Sequence, residues 1–177
     1  LGTLIGLWLG RANAARSLVF SSLLDAVTAI PPLAYLIIFV GIWGNSIPTM
    51  LVALTVSLIL RMIKLVKTQT EIELDKAYVL CAVSSGASRS RVLFVHILPN
   101  IITPMISQFT LDIGTAITSM ATLSFLGLGV QAPNADWGTL LRDGMGNLYN
   151  SSALLFIPAI CVILVTVSIN LFSDGVQ

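Results

Sequence analysis

Long apolar stretches alternate with short polar segments along the whole chain. They cover approximately residues 1–10, 26–43, 47–66, 101–130 and 153–172. A helix needs about 20 apolar residues to cross the hydrocarbon core of a bilayer. Open strands at that depth would leave backbone groups without hydrogen-bond partners. The pattern therefore predicts an all-α, polytopic transmembrane bundle with about five spans, and we expect the first stretch to be the end of a span cut at Leu1.

Composition excludes a soluble enzyme. Of the 177 residues, 56% are hydrophobic and 10% are charged, and the mean hydropathy is +0.95. Ordinary soluble domains are about a quarter charged. The formal net charge is only +1, so there is no basic field that would attract nucleic acid.

Cations indicate the orientation. Eight of the nine Lys and Arg residues follow the first or third stretch, or lie in the last turns of the third. They are Arg11, Arg16, Arg61, Lys64, Lys67, Lys76, Arg89 and Arg91. Only Arg142 lies on the opposite side. Because cytoplasmic loops are enriched in cations, residues 68–100 are predicted to be cytoplasmic and residues 131–152 extracytoplasmic.

The inventory of reactive residues argues against catalysis and against a metal site. The two cysteines, Cys81 and Cys161, are far apart, and His96 is the single histidine. The chain has neither a P-loop nor a G-x-S-x-G motif. Asp112 is the one acidic residue deep in a predicted span, so an intramembrane aspartyl protease is the least favoured alternative. We expect no catalytic residue, no metal and no cofactor bound by this chain.

The segment of residues 68–100 is the most charged part of the chain. Residues 71–85 are predicted to form a helix, and Gly86 suits a left-handed C-terminal cap. Ser88 can cap a second helix, which we expect to stop before Pro99. A helix pair that protrudes from a membrane bundle is typical of a docking surface, and a solvated connector is the alternative.

Residues 131–152 form the second large loop. A turn is predicted at Pro133-Asn134, and apolar residues then recur at helical spacing from Trp137. We expect a short helix on the outer surface, with contact to an extracellular partner as the alternative.

Five polar residues share one face of the fourth predicted span, because they are three or four positions apart. They are Gln108, Asp112, Thr115, Ser119 and Thr122. A carboxylate in hydrocarbon costs several kcal/mol unless it faces water or a partner. The face either lines a translocation path or forms a polar seam with neighbouring helices.

Two further features concern the second and third spans. Pro31 and Pro32 are adjacent and are predicted to kink the second span. Arg61 and Lys64 are predicted to reach the lipid headgroups from the end of the third span.

Motifs in residues 78–100 resemble the cytoplasmic loop of binding-protein-dependent ABC importer permeases. That family's pattern is E-A-A, three residues, Gly, nine residues and I-x-L-P. Here Leu80-Cys81-Ala82 takes the E-A-A place, with Leu80 where Glu is common and Cys81 where Ala is common. The residues that carry the resemblance, and for which it implies docking of an ATPase, are Tyr78, Val79, Cys81, Ala82, Gly86, Ala87, Ser88, His96, Leu98 and Pro99.

Within that superfamily the chain is similar to the dipeptide, oligopeptide and nickel permeases, and most to the second of their two permease subunits. His96-Ile-Leu-Pro-Asn, the Leu123–Val130 segment with Asp136-Trp137-Gly138, and the end from Asn170 carry this similarity. The segment Thr110–Gly114 favours nickel or metal chelates over peptides.

The resemblance implies a type I importer permease with six spans, of which residues 1–177 would be one N-terminally incomplete permease domain in a bacterial inner membrane. The implied partners are a second permease, two ATPase subunits that bind ATP and Mg, an extracytoplasmic binding protein and membrane lipid. A secondary transporter or channel coupled to an ion through Asp112 is the alternative. Selectivity lies largely in the binding protein, so the substrate stays open between peptides, nickel and other metal chelates.

Overall fold

A computed structural model describes the backbone of residues 1–11 and 14–176 and the side chains of residues 1–11 and 17–175. Arg16, counted above among the cations, lies outside the described side chains. The described backbone has no strand. Its α-helices are α1 Gly2–Gly10, α2 Ala14–Thr28, α3 Pro32–Trp43, α4 Ile47–Leu74, α5 Ala77–Ser84, α6 Arg89–Arg91, α7 Leu98–Phe125, α8 Trp137–Gly146 and α9 Ala153–Val176, with a π-helical turn at Val92–Ile97 between α6 and α7.

Three described helices are long and apolar enough to cross a membrane. They are Ile47–Leu74, Arg89–Phe125 and Ala153–Gly175, with 28, 37 and 23 residues. The pair Ser17–Thr28 and Pro32–Trp43 meets the criterion only if both helices count as one bent span. Helix α1 has nine residues. The all-helical membrane fold predicted from the hydrophobic pattern is therefore confirmed.

The predicted kink at the two prolines is a complete break. Helix α2 ends at Thr28 and α3 begins at Pro32, with Pro31 in an extended conformation at φ −61° and ψ 146°. Pro32 disfavours a helical conformation at the residue before it. Because Pro32 itself suits the first turn of a helix, the sequence ends one helix and starts the next.

The prediction that a helix stops before Pro99 is wrong. Helix α7 begins at Leu98, directly after the π-helical turn, and continues through Pro99. A proline in an α-helix clashes with the carbonyl four residues earlier. The π-helical turn is wider, since the Leu98 amide bonds to the Leu93 carbonyl five residues back. This wider turn accommodates the proline ring.

The described residues divide into two compact units. The first contains residues 1–29 and 59–109, and the second contains residues 30–58 and 110–175. Helices α4 and α7 contribute to both. The boundaries predicted for the cytoplasmic helix pair also change, since α4 continues to Leu74 and the chain breaks before α5 at Ala77.

In the first unit, α1 packs on α4 through a row of glycines. A Cβ atom at Gly6 would lie 2.6 Å from the Cβ of Val66, and one at Gly10 would lie 2.7 Å from the Cβ of Thr70. Glycines four residues apart allow this close approach of two helix backbones. Leu7 is buried beside this contact in a cluster with Val66.

In the second unit, Ser124 organises the connection between α7 and α8. Its hydroxyl donates to Asp136 Oδ2 at 2.6 Å and accepts from the Val130 amide at 3.1 Å. Asp136 caps α8 through a reciprocal hydrogen-bond pair with Thr139. The short helix expected after Pro133 is confirmed, and its cap explains why it begins at Trp137.

We predict that Gly6→Ala destabilises the protein by about 1–3 kcal/mol, the usual penalty for overpacking. The added methyl group collides with Val66 and with the Ile63 carbonyl at 2.9 Å. The apparent melting temperature of the purified protein in detergent measures this effect.

Gly41→Ala is the matched control, because nothing lies within 4 Å of a Cβ atom there. This variant should be neutral or more stable, since Gly is disfavoured in a helix. Equal melting temperatures for the two variants would show that α1 does not depend on the glycine contact.

Candidate functional site

The end of α4 holds the start of α5 through Glu73. This carboxylate is buried and accepts hydrogen bonds from the Tyr78 hydroxyl at 2.6 Å and from Lys76 Nζ at 2.7 Å. Hydrogen bonds to an ionised group are about twice as strong as neutral ones. Glu73 therefore fixes the position of α5 immediately after the chain leaves α4.

Tyr78 extends this link to the π-helical turn and α7. Its hydroxyl oxygen lies 3.4 Å from the His96 carbonyl oxygen and 3.3 Å from Asn100 Nδ2. Asn100 also donates to the His96 carbonyl at 2.6 Å. We call Glu73, Tyr78, His96 and Asn100 the Tyr78 clamp, since they join α4, α5 and α7 in one hydrogen-bond network.

The clamp changes the acidity of the Tyr78 hydroxyl. Burial, the hydrogen bond to Glu73 and the negative charge of that carboxylate together raise the pKa of Tyr78 to about 12. Each of these effects disfavours the phenolate. The clamp thus requires a protonated tyrosine.

Apolar packing beneath the clamp fixes the inner face of α5. Val79 is buried among Leu93, Ile97 and Ile101. Ala87 packs at the edge of the same cluster. The outer face of α5 is exposed, with Leu80 60% and Val83 56% accessible.

Gly86 makes the turn between the two helices. Its φ is +82°, a conformation that disfavours every residue with a Cβ atom. The amides of Gly86 and Ala87 bond to the carbonyls of Val83 and Ala82 at 3.0 and 3.1 Å. Ser88 then accepts from the Arg91 amide at 3.4 Å. The left-handed glycine and the serine cap predicted from the sequence are both present.

The residues singled out for docking occupy two different environments. Cys81, Gly86, Ser88 and Pro99 are exposed. Val79 is buried, and Tyr78, Ala82, Ala87, His96 and Leu98 are half-buried. The buried and half-buried members position the helix pair, while the exposed members are accessible for contact. The sequence motifs did not identify Leu80 and Val83 as candidate contact residues. Their apolar side chains, close to the predicted turn at Gly86, were the available signal.

The polar face predicted on the fourth span lies on α7. Asp112 is 4% exposed, and Gln108, Thr115, Ser119 and Thr122 are half-buried. Thr115 and Thr122 donate to the carbonyls of Leu111 and Thr118 in the same helix, at 3.0 and 2.7 Å. Each of these hydroxyl donors therefore has an acceptor within α7, and its hydrogen bond requires no neighbouring helix.

The burial of Lys67, which was counted above among the cations, was not predicted from the sequence. Lys67 Nζ donates to Ser17 and Ser21 at 2.9 and 2.7 Å and to Glu71 at 2.7 Å. Ser17 also bonds to Glu71. The three donors of the ammonium group are therefore satisfied. The spacing of Lys67 and Glu71 by four residues was the available signal.

Among the described residues there is no group of three or more His, Cys, Asp or Glu side chains that could hold a metal ion. The candidate site consists of the helix pair around Gly86 and the polar face of α7.

A comparison with known protein families assigns the chain to a known class. Residues 2–177 match the family described as the binding-protein-dependent transport system inner membrane component. The chain belongs to this family, whose members are the permeases of ABC importers.

Individual relatives are named for peptide transport. The chain is 32% identical over 176 residues to the peptide transport system permease protein SapC of Shigella flexneri, covering 99% of this chain and 60% of SapC. It is 32% identical over 176 residues to the dipeptide permease protein DppC of Alkalihalophilus pseudofirmus, covering 99% of this chain and 58% of DppC. It is 33% identical over 153 residues to the glutathione permease protein GsiD of Salmonella typhi, covering 86% of this chain and 50% of GsiD. The chain thus spans little more than half the length of these relatives.

The Tyr78 clamp predicts a loss of stability at high pH. The native pKa of Tyr78 is about 12, against 10.0 for the free side chain. The raised native pKa means that the stabilisation by Tyr78 is complete below pH 10 and is lost as the pH rises through 12. The phenolate absorbance of the native protein, measured as the difference between wild type and Tyr78→Phe, should have its midpoint near the higher value.

Tyr78→Phe removes the hydrogen bond to Glu73 but keeps the ring. We expect it to destabilise the protein by about 1–3 kcal/mol below pH 10, because the buried carboxylate loses one donor. The difference in unfolding free energy between wild type and Tyr78→Phe should become smaller as the pH rises above 10. A difference independent of pH would contradict the role of the protonated hydroxyl.

Proposed function

We propose that this chain is a permease subunit of an ATP-driven importer of peptides. It forms half of the translocation path in a bacterial inner membrane and docks an ATPase through α5 and the Gly86 turn. Its proposed partners are a second permease, two ATPase subunits that bind ATP and Mg, and an extracytoplasmic binding protein. The family match over residues 2–177 is the observation that carries this proposal.

Peptides are favoured over metals on two grounds. SapC, DppC and GsiD are named for peptide, dipeptide and glutathione transport. The described side chains also offer no cluster of metal ligands. Transport of nickel or a metal chelate, which the Thr110–Gly114 segment favoured, stays a prediction without support from these relatives.

The Tyr78 clamp supplies the mechanical link for coupling. When the ATPase pair closes on ATP, it moves the exposed face of α5. Because Tyr78 joins α5 to Glu73 of α4 and Asn100 of α7, both helices must follow. The loop thereby biases a two-state bundle between its inward and outward forms.

Reconstitution tests the proposed function. The full-length permease pair, its ATPases and its binding protein are placed in vesicles, and uptake of a labelled tripeptide is followed. Uptake should require both ATP and the binding protein. Uptake that proceeds without ATP and follows an ion gradient would instead support the secondary transporter with Asp112 as the coupling residue.

Substitution of Gly86 tests the docking loop. Gly86→Val should cost about 1–2 kcal/mol in the left-handed conformation. Nothing lies within 4 Å of a Cβ atom there, so the effect is one of backbone conformation. We expect loss of ATPase retention on purification and loss of uptake, while the permease pair still inserts in the membrane.

Gly86→Asn is the matched control, because Asn enters the left-handed region more readily than other residues. It should keep most of the retention and uptake. Normal ATPase retention and hydrolysis in Gly86→Val would remove the docking role of this turn.

Labelling of Cys81 maps the docked face. Cys81 is exposed on α5, and Cys161 lies half-buried in α9. A membrane-impermeant thiol reagent should label Cys81 in inside-out vesicles that lack the ATPase. Bound ATPase should protect it, and Cys161 should stay unlabelled in both preparations. If Cys81 is labelled equally with and without ATPase, it lies off the interface.

A further inference from the structure

An open cavity of about 500 Å³, lined by polar side chains and by Leu65, lies within the first unit. Three helices line it: α2 at its C-terminal end, the second half of α4, and α7. Its polar lining consists of Thr28, Arg61, Lys64, Thr68, Gln69 and Gln108. Known ligand cavities range from about 300 to 1,000 Å³, so it can hold part of a peptide.

One face of α4 supplies most of this lining. Arg61, Lys64 and Thr68 are three and four residues apart and so share one side of the helix, and Gln69 lies at the edge of that side. The opposite side of α4 carries Val66 and Thr70 against the glycines of α1. Helix α4 therefore has a packed face and a separate polar face in a span that is otherwise apolar.

The cavity has a positive character. Its described lining includes two cations and no carboxylate. Asp25, one turn before Thr28 on α2, reaches Lys64 at 2.6 Å. Both side chains of this pair are about half exposed.

Gln108 links this cavity to the polar face of α7. It is the first residue of the stripe predicted to line a translocation path, and it is the member of that stripe that lines the cavity. Its side-chain amide, like that of Gln69, can both donate and accept hydrogen bonds. A ligand in the cavity can therefore meet cations, amides and hydroxyls at once.

We propose that this cavity binds the carboxylate of a peptide during transport, with Arg61 as the principal anion-binding residue. The proposal rests on the peptide function proposed above and deepens it. Every unmodified peptide ends in a carboxylate, and a guanidinium group can bind one in a bidentate manner. The amide and hydroxyl groups around Arg61 can bind the backbone of a peptide. The cavity can therefore accept peptides with different side chains.

A phosphate group has related chemistry, so an anionic lipid headgroup is the other source of ligand for the same cations. The two sources differ in what they predict. A substrate site discriminates between peptides with and without a carboxylate, and a lipid site responds to membrane composition.

The test uses the reconstituted transporter and two probes, a tripeptide and its C-terminal amide, each saturating the binding protein. Arg61→Gln should lower uptake of the free tripeptide roughly tenfold, as loss of a charged hydrogen bond predicts, and leave uptake of the amide unchanged. Arg61→Lys keeps the charge and should restore much of the loss. Arg142→Gln, a cation outside the cavity, should change both uptakes by one common factor.

Each outcome decides the proposal. Selective loss of free-peptide uptake in Arg61→Gln, in vesicles of neutral phosphatidylcholine alone, supports it. Equal loss for both peptides overturns it, as does an Arg61→Gln defect seen only in vesicles with anionic phosphatidylglycerol, which would assign the cavity to lipid. Absence of ATP-dependent uptake by the wild type would overturn the peptide function and this inference together, and the yield of assembled complex identifies variants that fail to fold.

Discussion

The hydrogen bond from the Tyr78 hydroxyl to the buried Glu73 carboxylate is the constraint on which the position of α5 depends. A carboxylate in a buried position is unfavourable unless its charge is compensated, and here Lys76 and Tyr78 compensate it. The same tyrosine also reaches Asn100. One side chain therefore donates to the end of α4 and links α5 and α7 to it.

Long apolar runs and turn chemistry made most of the fold predictable. A run of about 20 apolar residues has one stable arrangement in a bilayer. Gly86 and Ser88 act on backbone groups within a few residues, so the local sequence suffices to identify the turn and the cap. The docking residues were less predictable, because whether a residue such as Val79 or Leu80 is buried depends on what packs against α5.

The prediction from the sequence was wrong at Pro99 and missed the burial of Lys67. The chain breaks at Pro31 because a second proline follows it, whereas it continues through Pro99, which follows a π-helical turn. Lys64 and Lys67 both looked like cations at a span end. Lys64 forms an ion pair beside a cavity, and Lys67 lies in a serine cluster. Both environments depend on α2, which lies 39 to 50 residues away in the sequence.

The π-helical turn at Val92–Ile97 has a consequence for insertions and deletions. A π-helical turn holds one more residue than the α-helical turn it replaces, and each residue of an α-helix advances about 100° around the axis. Removing one residue there would restore an ordinary α-helical turn and leave α6 in nearly the same angular position relative to α7, because one complete turn replaces another. Removing a residue from a regular part of α7 would instead rotate the segment before it by about 100°. The π-helical turn is therefore the place in this segment where the chain can lose a residue without moving the Gly86 turn to another side of the helix.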